Sequence, residues 1–157
     1  MESAPLPKVR KAVEADIPEI YKLGKLLFAE NAISGWSDAR IKESIDNAVS
    51  GEGSVIGVIG DHNRLEAMIH LFVAKFWYTD EPHLEEIYNF VHPDYRKSDN
   101  AKALIEFAKS CAVGIGVPLI IGILSNHRTE QKIRLYQRRL GKPSGAYWLF
   151  NSTTGRK

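Results

Sequence analysis

Residues 118–124, Pro-Leu-Ile-Ile-Gly-Ile-Leu, constrain the fold most, because no polar side chain interrupts them. The run is too short for a helix with a wet face, and it reads as a strand covered on both sides. Helical patterns flank it. Ala101, Leu104, Ile105, Ala108, Cys111 and Ala112 form an apolar stripe before it, closed by Gly114 and Gly116. Residues 126–140 form a second helical pattern after it, closed by Gly141 and Pro143. A further strand is expected over 84–91, closed by Pro93, which has no N–H for a ladder. Strand, helix and strand in that order make a crossover unit, which places the two strands side by side and parallel.

The front half reads differently. Residues 8–13 alternate as a short strand. Asp16 with Glu19 suggests a capping box opening a helix whose stripe is Ile17, Ile20, Tyr21, Gly24, Leu27 and Phe28. Ser37 is placed to cap a second helix carrying Ile41, Ile45, Ala48 and Val49, ended by Gly51-Glu52-Gly53. Residues 55–76 then read as a β-hairpin about the turn Asp61-His62-Asn63-Arg64, with residues 78–83 as a loop. Residues 146–151 suggest a last strand. The predicted fold is α/β, a mixed central sheet in the order β-α-α-β-β-β-α-β-α-β. Residues 1–157 are expected to form one domain, with 1–7 and 152–157 as flexible ends.

Composition adds exclusions. Hydrophobic residues are 44% and charged residues 25% of the 157, ordinary globular values. The single cysteine, Cys111, makes no internal disulfide, and its helical position suggests a core thiol in a reducing compartment. No apolar run approaches the roughly 20 residues that cross a bilayer, and the N-terminal residues carry no apolar signal region; a soluble, cytoplasmic protein is expected. His62, His70, His83 and His127 lack ligand spacing, so no metal is assigned. The net charge of +2 is too small to point to nucleic acid. Arg128, Lys132, Arg134, Arg138, Arg139 and Lys142 do cluster against Glu130 alone, which suits a solvated helix face or an anionic ligand.

The chemistry concentrates in Val91-His92-Pro93-Asp94-Tyr95-Arg96-Lys97-Ser98-Asp99-Asn100-Ala101. It is a strand end, a polar loop and a helix start. A helix N-terminus offers unpaired N–H groups and partial positive charge, which suits a phosphate. Arg96 and Lys97 add charge there. The segment resembles the coenzyme-binding motif V-x-P-x-Y-R-x-x-G-x-G/A of the GNAT N-acetyltransferases at Val91, Pro93, Tyr95, Arg96 and Ala101. Asn126 and Leu135-Tyr136-Gln137-Arg138-Arg139-Leu140-Gly141 resemble the family's N…LY-x-x-x-LG segment. Element order agrees over residues 8–151. Two positions depart: Asp99 stands at the first loop glycine, and Lys142 where an aromatic often follows. Asp99 is expected to turn outward and cap the third helix.

The resemblance implies an enzyme that transfers an acetyl group from acetyl-CoA to a primary amine on a small molecule or protein. It implies that the fourth strand splays from the fifth. Backbone groups of Phe90 and Val91 would hold the pantetheine arm and polarise the thioester. The loop Arg96, Lys97, Ser98, Asn100 and Ala101 would hold the pyrophosphate, and Asn126 would contact the pantetheine. Tyr136 would protonate the leaving thiolate, although its spacing from Ile133 and Leu140 also suits a core aromatic. Glu85 and Glu86 face opposite sides of a regular strand. Glu85 shares parity with Asn89 and Val91 unless a bulge intervenes, and is favoured as base, directly or through water. Trp36, Trp77, Tyr78 and Tyr88 are candidates for an acceptor pocket, equally explained by packing. His70 reads as a hydrogen-bonded core histidine. Competing readings are a non-catalytic GNAT-fold binding protein, suggested by Asp99, and, last, a nucleic-acid-binding module using the basic helix. A homodimer is expected, since an exposed strand after the fourth helix invites pairing.

Overall fold

The computed structural model describes residues 4–151. The expectation of flexible ends therefore falls mostly on residues outside that range. Its elements are β1 (Arg10–Lys11), α1 (Ile17–Asn31), α2 (Asp38–Ser50), β2 (Ser54–Asp61), β3 (Arg64–Lys75), β4 (Pro82–Val91), α3 (Asn100–Ile115), β5 (Leu119–Ile120) and α4 (Thr129–Leu140). The five strands form one sheet in chain order. All neighbours are antiparallel except β4 and β5, which are parallel as the crossover argument requires.

The helix stripes divide between the two faces. On one face Ile20 and Leu23 of α1 and Ile45 and Ala48 of α2 pack against Ile56, Val58, Met68 and Phe90. On the other, Ala103, Leu104, Ala108 and Ala112 of α3 cover Ala67, Ile69, Leu71 and Leu84. Each fully buried aliphatic side chain contributes about 1.5–3 kcal/mol. Gly60 lets β2 bulge against β3: its φ is +106° and a Cβ there would lie 2.6 Å from the Arg64 carbonyl. Only glycine takes that backbone without strain.

Four sequence expectations need correction. Asp16 precedes α1 but makes no side-chain cap bond. Its fully buried carboxylate instead pairs with Arg10 at 2.8 and 2.7 Å and accepts the Val13 N–H, which closes the 3-10 turn Glu14–Asp16 ahead of α1. Asp99 likewise caps nothing with its side chain; its carboxylate meets Lys102 Nζ at 3.1 Å, an ion pair along the first turn of α3. The apolar run after α3 is a strand only at Leu119–Ile120, because the ladder with β4 ends at Leu84–Leu119 and Glu85–Ile120. Residues 146–151 form no strand, since no described neighbour pairs with them, and Tyr147, Trp148 and Phe150 are 96%, 88% and 94% exposed.

Candidate active site

One irregularity in β4 determines which side chains meet. Tyr88 pairs with His70 and Glu86 with Leu71, which leaves Ile87 as an extra residue in β4. In a regular strand Glu86 and Tyr88 would share a face. The bulge reverses this. Tyr88 packs against the α1 and α2 core, while Leu71, the partner of Glu86, belongs to the α3 side. Glu86 thereby comes to the same side as Asn89, and both meet Tyr136 of α4. Asn89 Nδ2 donates to Glu86 Oε2 at 2.5 Å and also to the Tyr136 hydroxyl. The Tyr136 hydroxyl donates to Glu86 Oε2 at 3.3 Å. Glu85 faces elsewhere and lies 3.0 Å from His83 Nε2.

Electrostatics follows from this enclosure. Burial pushes the Glu86 carboxyl up to about 7, against hydrogen bonds from Asn89, Tyr136 and the Gly122 backbone that favour its charged form. Burial, reinforced by Glu86, raises the Tyr136 phenol above its ordinary value. At neutral pH the cluster thus holds a carboxyl near its midpoint beside a firmly protonated phenol. The first is suited to accept a proton and the second to donate one.

The cluster sits where β4 and β5 part. β4 runs on to Val91, whereas the ladder to β5 stops at Glu85. The backbone of β4 beyond Glu85 therefore has no β5 partner, and its edge there is open to the amides of an extended ligand. At the far end of β4, Pro93–Tyr95 forms a 3-10 turn leading to α3. Ser98 Oγ donates to the Tyr95 carbonyl at 2.5 Å and accepts from the Asn100 N–H at 3.2 Å. Asn100 is buried, and its amide donates to Glu66 of β3 at 3.2 Å. Asn100 thus anchors the loop to the sheet. Asp99 has φ −88°, so the loop needs no left-handed residue where a glycine would otherwise stand.

Arg96 is not free. Its Nη atoms grip both oxygens of Glu30 at 2.6 Å, its Nε donates to the Val91 carbonyl, and its guanidinium lies over Phe90. Burial alone would raise the Glu30 carboxyl, but Arg96 and the nearby His127 and Lys132 hold it below the ordinary range. The next residue, Asn31, accepts from Ser125 Oγ and from the Asn126 N–H, each at 3.0 Å. The C-terminus of α1 therefore ties the loop before α3 to the start of α4. Val91 and Asn126, expected at a cofactor, have one backbone group each engaged in this way.

Of the remaining candidates, His70 is buried and bonded to Ser54 at 2.6 Å, as a core histidine should be. Trp36 packs edge-on against Tyr21 and Phe28. Trp77 and Tyr78 stand exposed at the end of the β3–β4 hairpin, away from the Glu86 cluster. Asn89 and Glu30 were missed by sequence reasoning. Asn89 carried a signal, a lone amide among Ile87, Tyr88, Phe90 and Val91. Glu30 carried none, because its partner lies far along the chain. Among the described residues no cluster of His, Cys, Asp and Glu is fit for a metal, and no helix is long and apolar enough to cross a membrane.

Solved structures share this fold. AAC(6')-Iy, determined with the bisubstrate analogue CoA-S-monomethyl-acetylneamine, matches with a TM-score of 0.73 at 12% identity over 94% of this chain and 99% of that one. The chain has the GNAT acetyltransferase fold. A predicted acetyltransferase from Clostridium acetobutylicum, solved with acetyl-CoA, matches this GNAT-fold chain with a TM-score of 0.72 at 13% identity over 93% and 96%. The ribosomal-protein-alanine N-acetyltransferase of Brucella melitensis biovar Abortus 2308 matches with 0.67 at 14% over 91% and 98%. No family model and no curated protein matches the sequence. The GNAT fold is thus shared where sequence similarity has faded.

Proposed function

We propose that the chain is an acetyl-CoA-dependent N-acetyltransferase acting on a primary amine of a small molecule or protein. The observation that carries this reading is the Glu86–Asn89–Tyr136 cluster at the parting of β4 and β5. Acetyl-CoA supplies the activated acyl group. The residues fit it in part: the open β4 edge suits pantetheine amides, and Lys97, Ser98 and Ala101 lie at the α3 N-terminus for the pyrophosphate.

In this reading Glu86, directly or through one water, takes a proton from the amine as its nitrogen attacks the thioester carbon. The C–S bond then breaks, and Tyr136 gives its proton to the departing sulfur. Proton transfer from Glu86 to Tyr136 along their hydrogen bond restores both groups, so no net proton is lost. Asn89 holds the two oxygens in register throughout. Glu85, turned to His83, is the weaker candidate for the base.

A second reading, a GNAT-fold protein that binds a ligand or partner without catalysis, draws on Glu30 occupying Arg96 and on Asp99 in the loop. The basic face of α4 supports nucleic-acid binding less. Lys132 is turned to Ser125, and Arg139 faces Glu106. Thiol release from acetyl-CoA with a panel of primary amines tests the leading reading. Tyr136→Phe should lower kcat by about 10²–10⁴-fold with little change in CoA affinity. A wild-type chain that binds CoA but releases no thiol with any amine supports the second reading instead.

A further inference from the structure

On the α1 and α2 face of the sheet, α2 carries a polar stripe. Arg40, Glu43, Ser44 and Asn47 follow at helical spacing and share one side of that helix. They form one wall of a groove of about 510 Å³, within the range of small-molecule sites, roughly 300–1,000 Å³. Glu52 and Ser54 at the entry to β2, His70 and Phe72 of β3, and the bulge residue Ile87 of β4 complete it. Two observations point to a ligand. First, the side chains of Arg40, Glu43 and Glu52 make no ion pair or hydrogen bond among the described residues. One cationic and two anionic groups thus face a single groove without a partner in the chain. Second, His70 is buried, and its Nδ1 has no hydrogen-bond partner. The Ser54 hydroxyl has one proton and lies 2.6 Å from His70 Nε2 and 3.2 Å from the Leu71 carbonyl. The carbonyl can only accept. When it takes the Ser54 proton, Nε2–H donates to Ser54, and Nδ1 is left as a buried acceptor in want of a donor.

We propose that this groove holds the acyl acceptor, and that the acceptor is a small diamino carboxylic acid, a molecule with two ammonium groups and one carboxylate. The ligand class rests on the groove alone; the acceptor role rests on the acetyltransferase reading. Charge decides the class. Glu43 and Glu52 call for two ammonium groups, and the Arg40 guanidinium for a carboxylate that it can grip with two N–H bonds. A plain diamine leaves Arg40 unmatched, and a monoamino acid leaves one carboxylate unmatched. A dianion would meet Glu43 and Glu52 and be repelled. Phe72 and Ile87 offer apolar surface to the methylenes between the charges. A ligand N–H, directly or through one water, would complete His70 Nδ1. The position suits transfer as well. Ile87 is the extra residue beside Glu86, and beyond Glu85 no strand pairs with the outer edge of β4. An amine held in the groove therefore has a way past β4 to Glu86. There the N–C bond forms as the C–S bond breaks, the amine proton goes to Glu86, and the sulfur takes one from Tyr136.

Calorimetry of the full chain without CoA tests the ligand class. L-lysine and L-ornithine should bind. Cadaverine, which lacks the carboxylate, and L-norleucine, which lacks the second amine, should bind about tenfold more weakly or worse, since each forfeits a charge-assisted contact. Arg40→Ala should weaken L-lysine about tenfold and leave cadaverine unchanged. Glu43→Gln combined with Glu52→Gln should weaken both. All three residues are exposed, so circular dichroism should not change. Cadaverine binding as tightly as L-lysine, or Arg40→Ala weakening both alike, overturns the proposal. Thiol release from acetyl-CoA then separates two failures. Release with other amines, but neither binding nor release with L-lysine or L-ornithine, overturns the proposal and keeps the acetyltransferase reading. Selective L-lysine binding without release from any amine overturns that reading and with it the acceptor role, and leaves the ligand class standing.

Discussion

Replacing Glu86 by Gln should make the protein more stable and less active at alkaline pH, and leave its stability unchanged in acid. The carboxyl is pushed from an ordinary 4.5 up to about 7 by burial. That difference amounts to about 3 kcal/mol at 1.36 kcal/mol per pH unit. Solvent reaching the half-buried carboxylate reduces the usable part to about 1–2 kcal/mol. The sign follows from proton binding. Below the unfolded value both states are protonated and Glu86 contributes nothing. Between the unfolded and folded values the unfolded chain ionises first, so stability falls as pH rises. Above the folded value the deficit is complete and constant. The substituted carboxamide has no charge to desolvate, and its oxygen still accepts from Asn89. Urea unfolding of both forms across the pH range should therefore show curves that coincide near pH 4 and separate by about 1–2 kcal/mol near pH 8. A gap that does not grow with pH, or a wild type that is the more stable form in alkali, would refute the reasoning. Loss of turnover in the same variant would show that the chain keeps a destabilising group for its chemistry.

Two further perturbations separate the loop from the scaffold. Asp99→Gly removes a carboxylate at the α3 N-terminus and releases Lys102; CoA affinity by calorimetry should tighten several-fold, from a like-charge contact of about 1 kcal/mol, while loss of the exposed pair changes stability by under about 0.5 kcal/mol. Undetectable CoA binding in both forms would sink the acyltransferase reading. Arg10→Ala leaves the buried Asp16 carboxylate unpaired and should cost about 3 kcal/mol in urea unfolding. Arg10 holds Asp16 below its ordinary range, so the wild type gains stability above the unfolded value of Asp16 and loses it as pH falls through the folded one; in Arg10→Ala that acid-side loss should shrink.

The helices were legible because their stripes repeat with a period that only packing explains. Ala101, Leu104, Ile105, Ala108 and Ala112 fall along α3 as the spacing requires. Strand lengths were not, because hydropathy records what is covered and not what is paired. Residues 118–124 and 146–151 both read as strands, yet of these only Leu119–Ile120 has a ladder partner among the described residues. Asp16 shows a related limit: a carboxylate before a helix fits a cap and an ion pair equally, and only the position of Arg10 decides. The choice between Glu85 and Glu86 depended on one extra residue, Ile87. A bulge alters no composition and leaves little trace in a single sequence, yet it determines which carboxylate reaches Tyr136.

The early end of the β4–β5 ladder shapes the candidate site. Had pairing continued to Val91, the backbone groups of β4 beyond Glu85 would be spent on β5. Because pairing stops at Ile120, residues 121–124 lie beyond the ladder. Gly122 belongs to this stretch, and its backbone is one of the groups that pull the Glu86 carboxyl toward its charged form. The same missing hydrogen bonds thus leave the Gly122 backbone free of the ladder and able to act on the acidity of Glu86.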